Sequence, residues 1–327
     1  MRALTAPLSI SAEDSLEAVG CLFGHAGPAV KLFDRPDWWL GLPGGFAWHR
    51  CPACELRFLS PRPTPAGMRA YYPAHYAAYR PAINDERLGL MRWKRRRNLR
   101  GRAEAVGRRA RPGRLLDVGS ATGNYLAEMR GRGWQVHGVE PNGQAASYSR
   151  LRLGLDVFGG DLLAAGLPAG SFDAVTLWDV LEHTHDPLAV LREARRLLRP
   201  GGLVAFSIPD LNSLDAQRFG PAWIGYDAPR HLYLFAGRSL ADLLAAAGLR
   251  PGGREHFLAN YHTWLASYQT ELNCRLSDGP LRRLLQRLAR LPIWAPLSAP
   301  YFARLNRRGQ GAVVTVYAHS PAEASHA

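Results

Sequence analysis

The stretch from Arg114 to Asn124, Arg-Leu-Leu-Asp-Val-Gly-Ser-Ala-Thr-Gly-Asn, narrows what this chain can fold into more than any other. Leu115, Leu116 and Val118 are apolar and strand-like. Gly119 and Gly123 bracket three small residues, and a helical pattern runs from Tyr125 to Arg130. A strand that turns on glycine into a helix lets the backbone approach a ligand and aims the free N–H groups of the helix start at it. The dinucleotide fingerprint Gly-x-Gly-x-x-Gly would need glycines at 121 and 124, where Ala121 and Asn124 stand. That speaks against a nicotinamide-dependent oxidoreductase, and no hydride-transfer pattern is evident elsewhere.

Further strands follow at regular intervals. Trp134 to Val139 reads as a second strand ending in Glu140, 23 residues after Asp117, about where a doubly wound fold places the carboxylate that receives ribose hydroxyls. Leu155 to Gly160 ends in Asp161, Phe172 to Val180 runs into Trp-Asp-Val-Leu-Glu-His, and Gly202 to Pro209 follows a helix that stops at Arg-Pro-Gly-Gly. Strands alternating with helices imply an α/β fold with a parallel sheet covered on both faces. As an ordered set, LLDVGSATG, VHGVEPN, Asp161-Leu162, FDAVTLWDVLEH and LLRPGGLVAFSIP resemble the successive motifs of class I S-adenosylmethionine-dependent methyltransferases. The resemblance covers roughly residues 70 to 260. It implies a doubly wound, seven-stranded Rossmann-like sheet, with Arg254 to Ala259 and Gly311 to His319 as its last two strands.

The resemblance also assigns cofactor residues. Asp117, Gly119, Ser120 and Gly123 would line the methionine portion of S-adenosylmethionine, and Glu140 would take the ribose hydroxyls. Asp161 with Leu162 would meet the adenine edge, and Trp178 with Asp179 would close the methionine side. Residues 61 to 81, rich in proline and tyrosine, resemble a flap over the cofactor, with Tyr72 and Tyr76 as its rings. An aromatic face suits a sulfonium cation.

Ahead of this core, Cys21, His25 and Cys51-Pro-Ala-Cys54 offer four ligands for one tetrahedral metal. The resembling subgroup carries a small N-terminal zinc ribbon made of two Cys-x-x-Cys knuckles. Here the first knuckle is Cys-x-x-x-His, so a zinc-bearing ribbon and a metal-free one held by aromatic residues both stand. The expected organisation is a ribbon-like segment with the tyrosine flap over 1–80, a basic linker helix over 81–112 and the methyltransferase core over 113–327. An insertion at 210–235 lies where an acceptor pocket belongs. Cys274 reads as a small core residue.

The formal charge of +14 invites a polyanion partner, yet all but Lys31 and Lys94 of the 41 basic residues are arginine, which points to coding bias more than to RNA. The arginine run over 91–111 reads as a solvated helix, with a nucleic-acid methyltransferase as the rival. The absence of an Asn-Pro-Pro-Tyr motif after the fourth strand counts against base methylation. A sugar, polyketide or related small molecule is the expected acceptor, methylated on oxygen or carbon; a non-catalytic cofactor-binding protein is the remaining alternative. For an acceptor hydroxyl or acidic carbon a base is needed near neutral pH. His231, in Ala-Pro-Arg-His-Leu-Tyr, is the first candidate and His183 the second, with Tyr226 and Tyr233 as helpers. Leu281 to Leu291 forms a basic amphipathic helix whose apolar stripe is expected to cover the protein's own core, with a membrane surface as the alternative. No stretch reaches membrane-span length, and a cytoplasmic location is expected. Nothing in the sequence specifies the oligomeric state.

Overall fold

The computed structural model describes residues 15–72, 89–258 and 260–322; Tyr76 lies outside them. In chain order the elements begin with five short strands, β1 (Leu16–Glu17), β2 (Val30–Asp34), β3 (Ala47–Arg50), β4 (Arg57–Leu59) and β5 (Arg62–Pro63). Helix α1 (Gly89–Gly107) leads into β6 (Arg114–Val118), α2 (Asn124–Arg130), β7 (Gln135–Val139), α3 (Gly143–Leu153), β8 (Asp156–Phe158) and β9 (Phe172–Trp178). Then come α4 (Pro187–Leu197), β10 (Leu198–Pro209), α5 (Leu214–Phe219), β11 (Tyr233–Leu234), α6 (Arg238–Ala246) and β12 (Arg250–Glu255). The last elements are α7 (Tyr261–Arg275), α8 (Pro280–Ala289), α9 (Trp294–Arg307) and β13 (Val313–His319).

Seven strands form one sheet in the order β12-β13-β10-β9-β6-β7-β8. Strands β6 to β10 are parallel, and β13 runs antiparallel to both its neighbours. The expected doubly wound α/β sheet is therefore present. Central strands carry apolar residues on both faces: Leu115 and Leu116 in β6, Ala174 and Val175 in β9, and Leu203, Val204, Ala205 and Phe206 in β10 are all buried. Helices cover both faces, so these strands read as continuous hydrophobic runs. From β6 the chain winds through β7 to β8, then returns to lay β9 on the other side of β6. This reversal opens a crevice beyond the carboxyl ends of the strands.

The edge strand differs from expectation. It occupies Arg250–Glu255, not a range starting at Arg254, and pairs with β13 through a shift between Pro251 and Gly253. An edge strand needs only one hydrogen-bonded side and so accommodates Pro251, Gly252 and Gly253.

The N-terminal segment is fused to the core. β4 pairs with β3 on one side and with β11, from the 210–235 stretch, on the other, completing a four-stranded sheet. One hydrophobic cluster runs from Trp48, Leu56 and Phe58 through Trp223, Tyr226 and Leu232 to Leu116 and Val175 of the main sheet. A buried ion triad reinforces the junction: Arg230 donates to both carboxylate oxygens of Asp37 at 2.8 and 2.7 Å and to Asp227 at 2.7 and 2.5 Å. All three side chains are nearly or fully buried.

Three further expectations are corrected. Cys274 is exposed on α7 and is not a core residue. The arginine run over 91–111 is not merely solvated, because Arg108 and Arg109, just after α1, pair with Glu255 at 3.0 and 3.3 Å and Arg102 of α1 reaches across to Asp179. Helix α8 has no buried residue, so its apolar stripe does not cover the protein's own core. No helix among the described residues is long and apolar enough to cross a membrane.

Candidate active site

The crevice at the strand reversal is a cleft of about 3080 Å³. Of the residues singled out in sequence, Tyr72, Asp117, Gly119, Ser120, Glu140, Asp161, Leu162, Trp178, Asp179 and His183 line it. Gly123 and His231 do not.

The glycine turn follows β6. Gly119 has φ +70°, and a Cβ there would meet the Val180 side chain at 2.5 Å, so two loops close on one another with no room for a side chain. Gly123, φ +73°, plays another part. A Cβ on it would lie 2.6 Å from Leu155 and 2.9 Å from the Ser149 hydroxyl, so this glycine seats the start of α2 against α3. Between them Ala121 takes φ +47°, a region alanine rarely adopts.

Glu140, at the end of β7, holds this turn open. Its Oε2 accepts from the Ala121 N–H at 2.7 Å and its Oε1 from the Asn142 N–H at 2.8 Å. Burial raises its pKa, and these two N–H groups act against that. Asp117 is buried at the same strand end and accepts from Thr176 Oγ1 at 2.7 Å. Burial pushes its carboxyl up to about 7, opposed by the Thr176 hydroxyl and the Arg102 charge.

At the end of β9, Asp179 adopts φ +57°, a second non-glycine residue in the left-handed region. Such backbone persists only where surrounding contacts enforce it. Here Ser207 Oγ donates to its Oδ1 at 2.7 Å, and Arg102 binds its Oδ2 at 2.6 Å while lying 5.0 Å from the Trp178 ring centre. Arg102 was missed in sequence because nothing separates it from its neighbours in the arginine run. Its selection comes only from where α1 crosses β9.

The cleft lining also includes a polar atom that protein partners leave open. Ser120 Oγ is buried and has no hydrogen-bond partner among the described residues. Buried polar atoms normally have partners, so this one marks a place for a polar ligand atom. The residues suit a nucleoside carrying an amino acid: a carboxylate at the second strand end, a glycine turn and an unpartnered hydroxyl beside an acidic pocket.

Two imidazoles sit beside the cleft, their ring centres 4.6 Å apart. His183 Nδ1 lies 2.9 Å from the Arg230 carbonyl and 3.0 Å from the Tyr72 hydroxyl. A carbonyl only accepts, so Nδ1 carries the proton and Nε2 the lone pair. His231 Nδ1 is bound likewise to the Gly225 carbonyl at 2.8 Å. Burial, with the His231 charge, pushes His183 down to about 3; burial also lowers His231. Tyr226 and Tyr233 do not line the cleft. Tyr226 is packed among Phe33, Trp48 and Trp223, and the Tyr233 hydroxyl accepts from Arg62 at 2.8 Å.

Away from the cleft, two tight turns bring Cys21, His25, Cys51 and Cys54 together, with all ligand atoms within 4.8 Å of one another. Cys21 Sγ is 3.6 Å from Cys54 Sγ and 3.4 Å from His25 Nδ1, and Cys51 Sγ is 3.7 Å from His25 Nδ1. Zinc–ligand bonds of 2.0–2.3 Å imply tetrahedral edges of about 3.5–3.8 Å. Gly24 and Glu55, three and four residues into their turns, share φ values of +69° and +64°. The Cys-x-x-x-His turn thus reaches the same ligand geometry as its Cys-x-x-Cys partner.

Comparison with known proteins agrees with this geometry. Residues 90–251 match the family model described as a methyltransferase domain. The ubiquinone biosynthesis O-methyltransferase of Cereibacter sphaeroides is 31% identical over 182 residues, covering 52% of this chain and 74% of that protein. The protein of the same name from Thiobacillus denitrificans is 35% identical over 107 residues, 31% of this chain and 46% of that one. Among solved structures, a SAM-dependent methyltransferase of Thermotoga maritima superposes with a TM-score of 0.45 at 19% identity, over 68% of this chain and 89% of that one. With the strand order, the glycine turn, the family-model match and the similarity to the Cereibacter sphaeroides protein together, the chain belongs to the class I S-adenosylmethionine-dependent methyltransferases.

Proposed function

We propose that this enzyme methylates an oxygen of a small-molecule acceptor, with the cofactor held along the carboxyl ends of β6 to β9. The observation that carries this reading is the convergence of Asp117, Gly119, Ser120, Glu140, Asp161, Leu162, Trp178 and Asp179 on one cleft. In it Glu140 receives the ribose hydroxyls and Leu162 with Asp161 meets the adenine. The turn 119–120, Asp117 and Trp178 hold the methionine end, while Tyr72 covers the site from the flap. Gly123 supports the turn from behind. The bound cofactor supplies an electrophilic methyl group on a sulfonium. The protein's part is to align the acceptor, exclude water and receive the acceptor's proton.

His183 is the better-placed proton acceptor, because it lines the cleft and His231 stands behind it. Burial keeps the ring neutral, with Nδ1 bound to the Arg230 carbonyl and the lone pair on Nε2. The charges of Asp227 and Asp179 favour the protonated ring without outweighing burial, so the proton is taken up together with methyl transfer and not before it. Oxygen is the favoured acceptor atom because the relatives above are named O-methyltransferases. Sugars, polyketides and other metabolites remain within this class. A nucleic-acid acceptor gains no support, since Arg102, Arg108 and Arg109 are engaged within the protein.

We further propose one zinc on Cys21, His25, Cys51 and Cys54, stabilising a segment too small to fold on its own core. A cytoplasmic location fits the free state of all four cysteines of the chain. Mass spectrometry of the freshly purified protein tests the main reading through co-purified S-adenosylhomocysteine. Tight binding of NADH, with no calorimetric heat from either S-adenosyl nucleoside, would overturn it. Elemental analysis should find about one zinc per chain; a value near zero that stays so after refolding with zinc rules the metal out.

A further inference from the structure

Eight of the twelve exposed large hydrophobic side chains among the described residues fall between Leu281 and Tyr301. On α8 and just beyond it, Leu281, Leu284, Leu288 and Leu291 follow the i, i+3, i+7, i+10 spacing of one helix face, and they are 45–59% exposed. The opposite face meets the protein through polar groups. Arg282 pairs with Asp278 at 2.8 Å, and Gln286 donates to Asn273 at 2.9 Å. The helix is thus mounted with its leucines outward, and α9 extends the surface with Trp294, Leu297 and Tyr301. A contiguous apolar face on a folded chain marks a contact.

We propose that this α8–α9 face docks on an anionic lipid surface. Residues 280–310 contain seven arginines, Arg282, Arg283, Arg287, Arg290, Arg304, Arg307 and Arg308, and no aspartate or glutamate. Among the described residues no ion pair reaches Arg287, Arg290 or the three arginines at 304–308. At 100° per residue, Arg283, Arg287 and Arg290 lie along one flank of the leucine stripe. Their aliphatic stems can cover apolar surface while the guanidinium groups reach phosphates. A second copy of this chain fits poorly, since a two-fold contact sets the same patch against itself and brings arginines against arginines, with the neighbouring Asp278 already paired to Arg282 and Arg283. Short helices lying in the interfacial plane meet the geometry of a membrane surface without spanning it.

The docked face adjoins the cleft. Ala295, Ala299, Phe302 and Asn306 of α9 line it, so one helix serves both surfaces. The docking itself does not depend on what the cleft binds, which keeps its test separate from that of the cofactor reading.

Flotation of the full chain with phosphatidylcholine vesicles, with and without about one-third phosphatidylglycerol, tests the proposal. Binding is expected only to the anionic vesicles and should weaken in high salt. Arg287→Gln with Arg290→Gln should reduce the partition coefficient by roughly 10- to 30-fold, the product of about fivefold per basic residue. Leu284→Ser with Leu288→Ser should abolish most of it while leaving circular dichroism and calorimetric binding of S-adenosylhomocysteine unchanged, because these side chains are solvent-facing and do not line the cleft. No flotation with anionic vesicles, or flotation indifferent to the leucine changes, overturns the proposal. So does a concentration-dependent dimer that Leu284→Ser with Leu288→Ser dissolves in the absence of vesicle binding, which would make a second copy the occupant.

Discussion

Replacing Glu140 with alanine separates two things this carboxylate does. Each of its oxygens already accepts one backbone N–H, from Ala121 and Asn142. A carboxylate has about four acceptor positions, which leaves about two for a ligand. A hydrogen bond to a charged acceptor contributes about 1.5–3 kcal/mol, and a vicinal diol that loses its partner here is rehydrated at the open cleft. Counting one such bond as the net loss, Glu140→Ala should raise the Kd for S-adenosylhomocysteine by about 10- to 150-fold. The two abandoned N–H groups lower stability separately, by about 1–3 kcal/mol. With an unfolding entropy of about 0.6 kcal/mol/K for roughly 300 residues, that lowers Tm by about 2–5 °C. Isothermal calorimetry and a thermal melt on the same samples read both effects. A Kd within about threefold of the parent protein, under 1 kcal/mol, together with the expected fall in Tm would refute the ligand role and leave Glu140 as a brace for the turn.

Other outcomes follow from the same geometry. Arg230→Met leaves Asp37 and Asp227 buried and uncompensated, so stability should fall by about 3–5 kcal/mol and Tm by about 5–8 °C; an unchanged melt would show that the triad is not buried as described. Burial alone would raise Asp227, but Arg230 holds it below its usual value. Its contribution is therefore present above about pH 4 and lost as pH falls through the lower folded value, and acid melting curves of Arg230→Met should lack that loss. Asp117 behaves oppositely: its folded pKa of about 7 lies above the unfolded one, so its ionisation removes stability as pH rises from about 4 to 7. Asp117→Asn should flatten that part of the melting profile, and an unaltered slope would contradict the burial. His183→Gln should lower kcat by about 10²- to 10⁴-fold with the Kd for S-adenosylhomocysteine and Tm nearly unchanged, and His231→Gln should do less; parallel loss of cofactor affinity and Tm would make His183 structural.

The convergence of Asp117, Gly119, Glu140, Trp178 and Asp179 on one cleft was legible in the sequence because local chemistry repeats there. A strand that runs into Gly119, a second that ends in Glu140 and a fourth that ends in Trp178-Asp179 each carry their residue at the strand terminus, and a parallel sheet brings all strand termini to one edge. The grouping of Cys21, His25, Cys51 and Cys54 was legible for a similar reason, since a tight turn fixes how two nearby side chains face. What tertiary structure alone decided depends on partners far apart in sequence. Arg102 was chosen from an arginine run by the crossing of α1 over β9, and Arg230 was matched to Asp37 across 193 positions. His183 and not His231 reached the cleft wall because the 210–235 stretch gave its strand to the N-terminal sheet. Periodicity likewise revealed the leucine stripe of α8 but not its direction. A helix can turn that stripe toward the core or toward solvent, and the choice was made by which neighbours, here Asp278 and Asn273, could satisfy Arg282 and Gln286 on the other side.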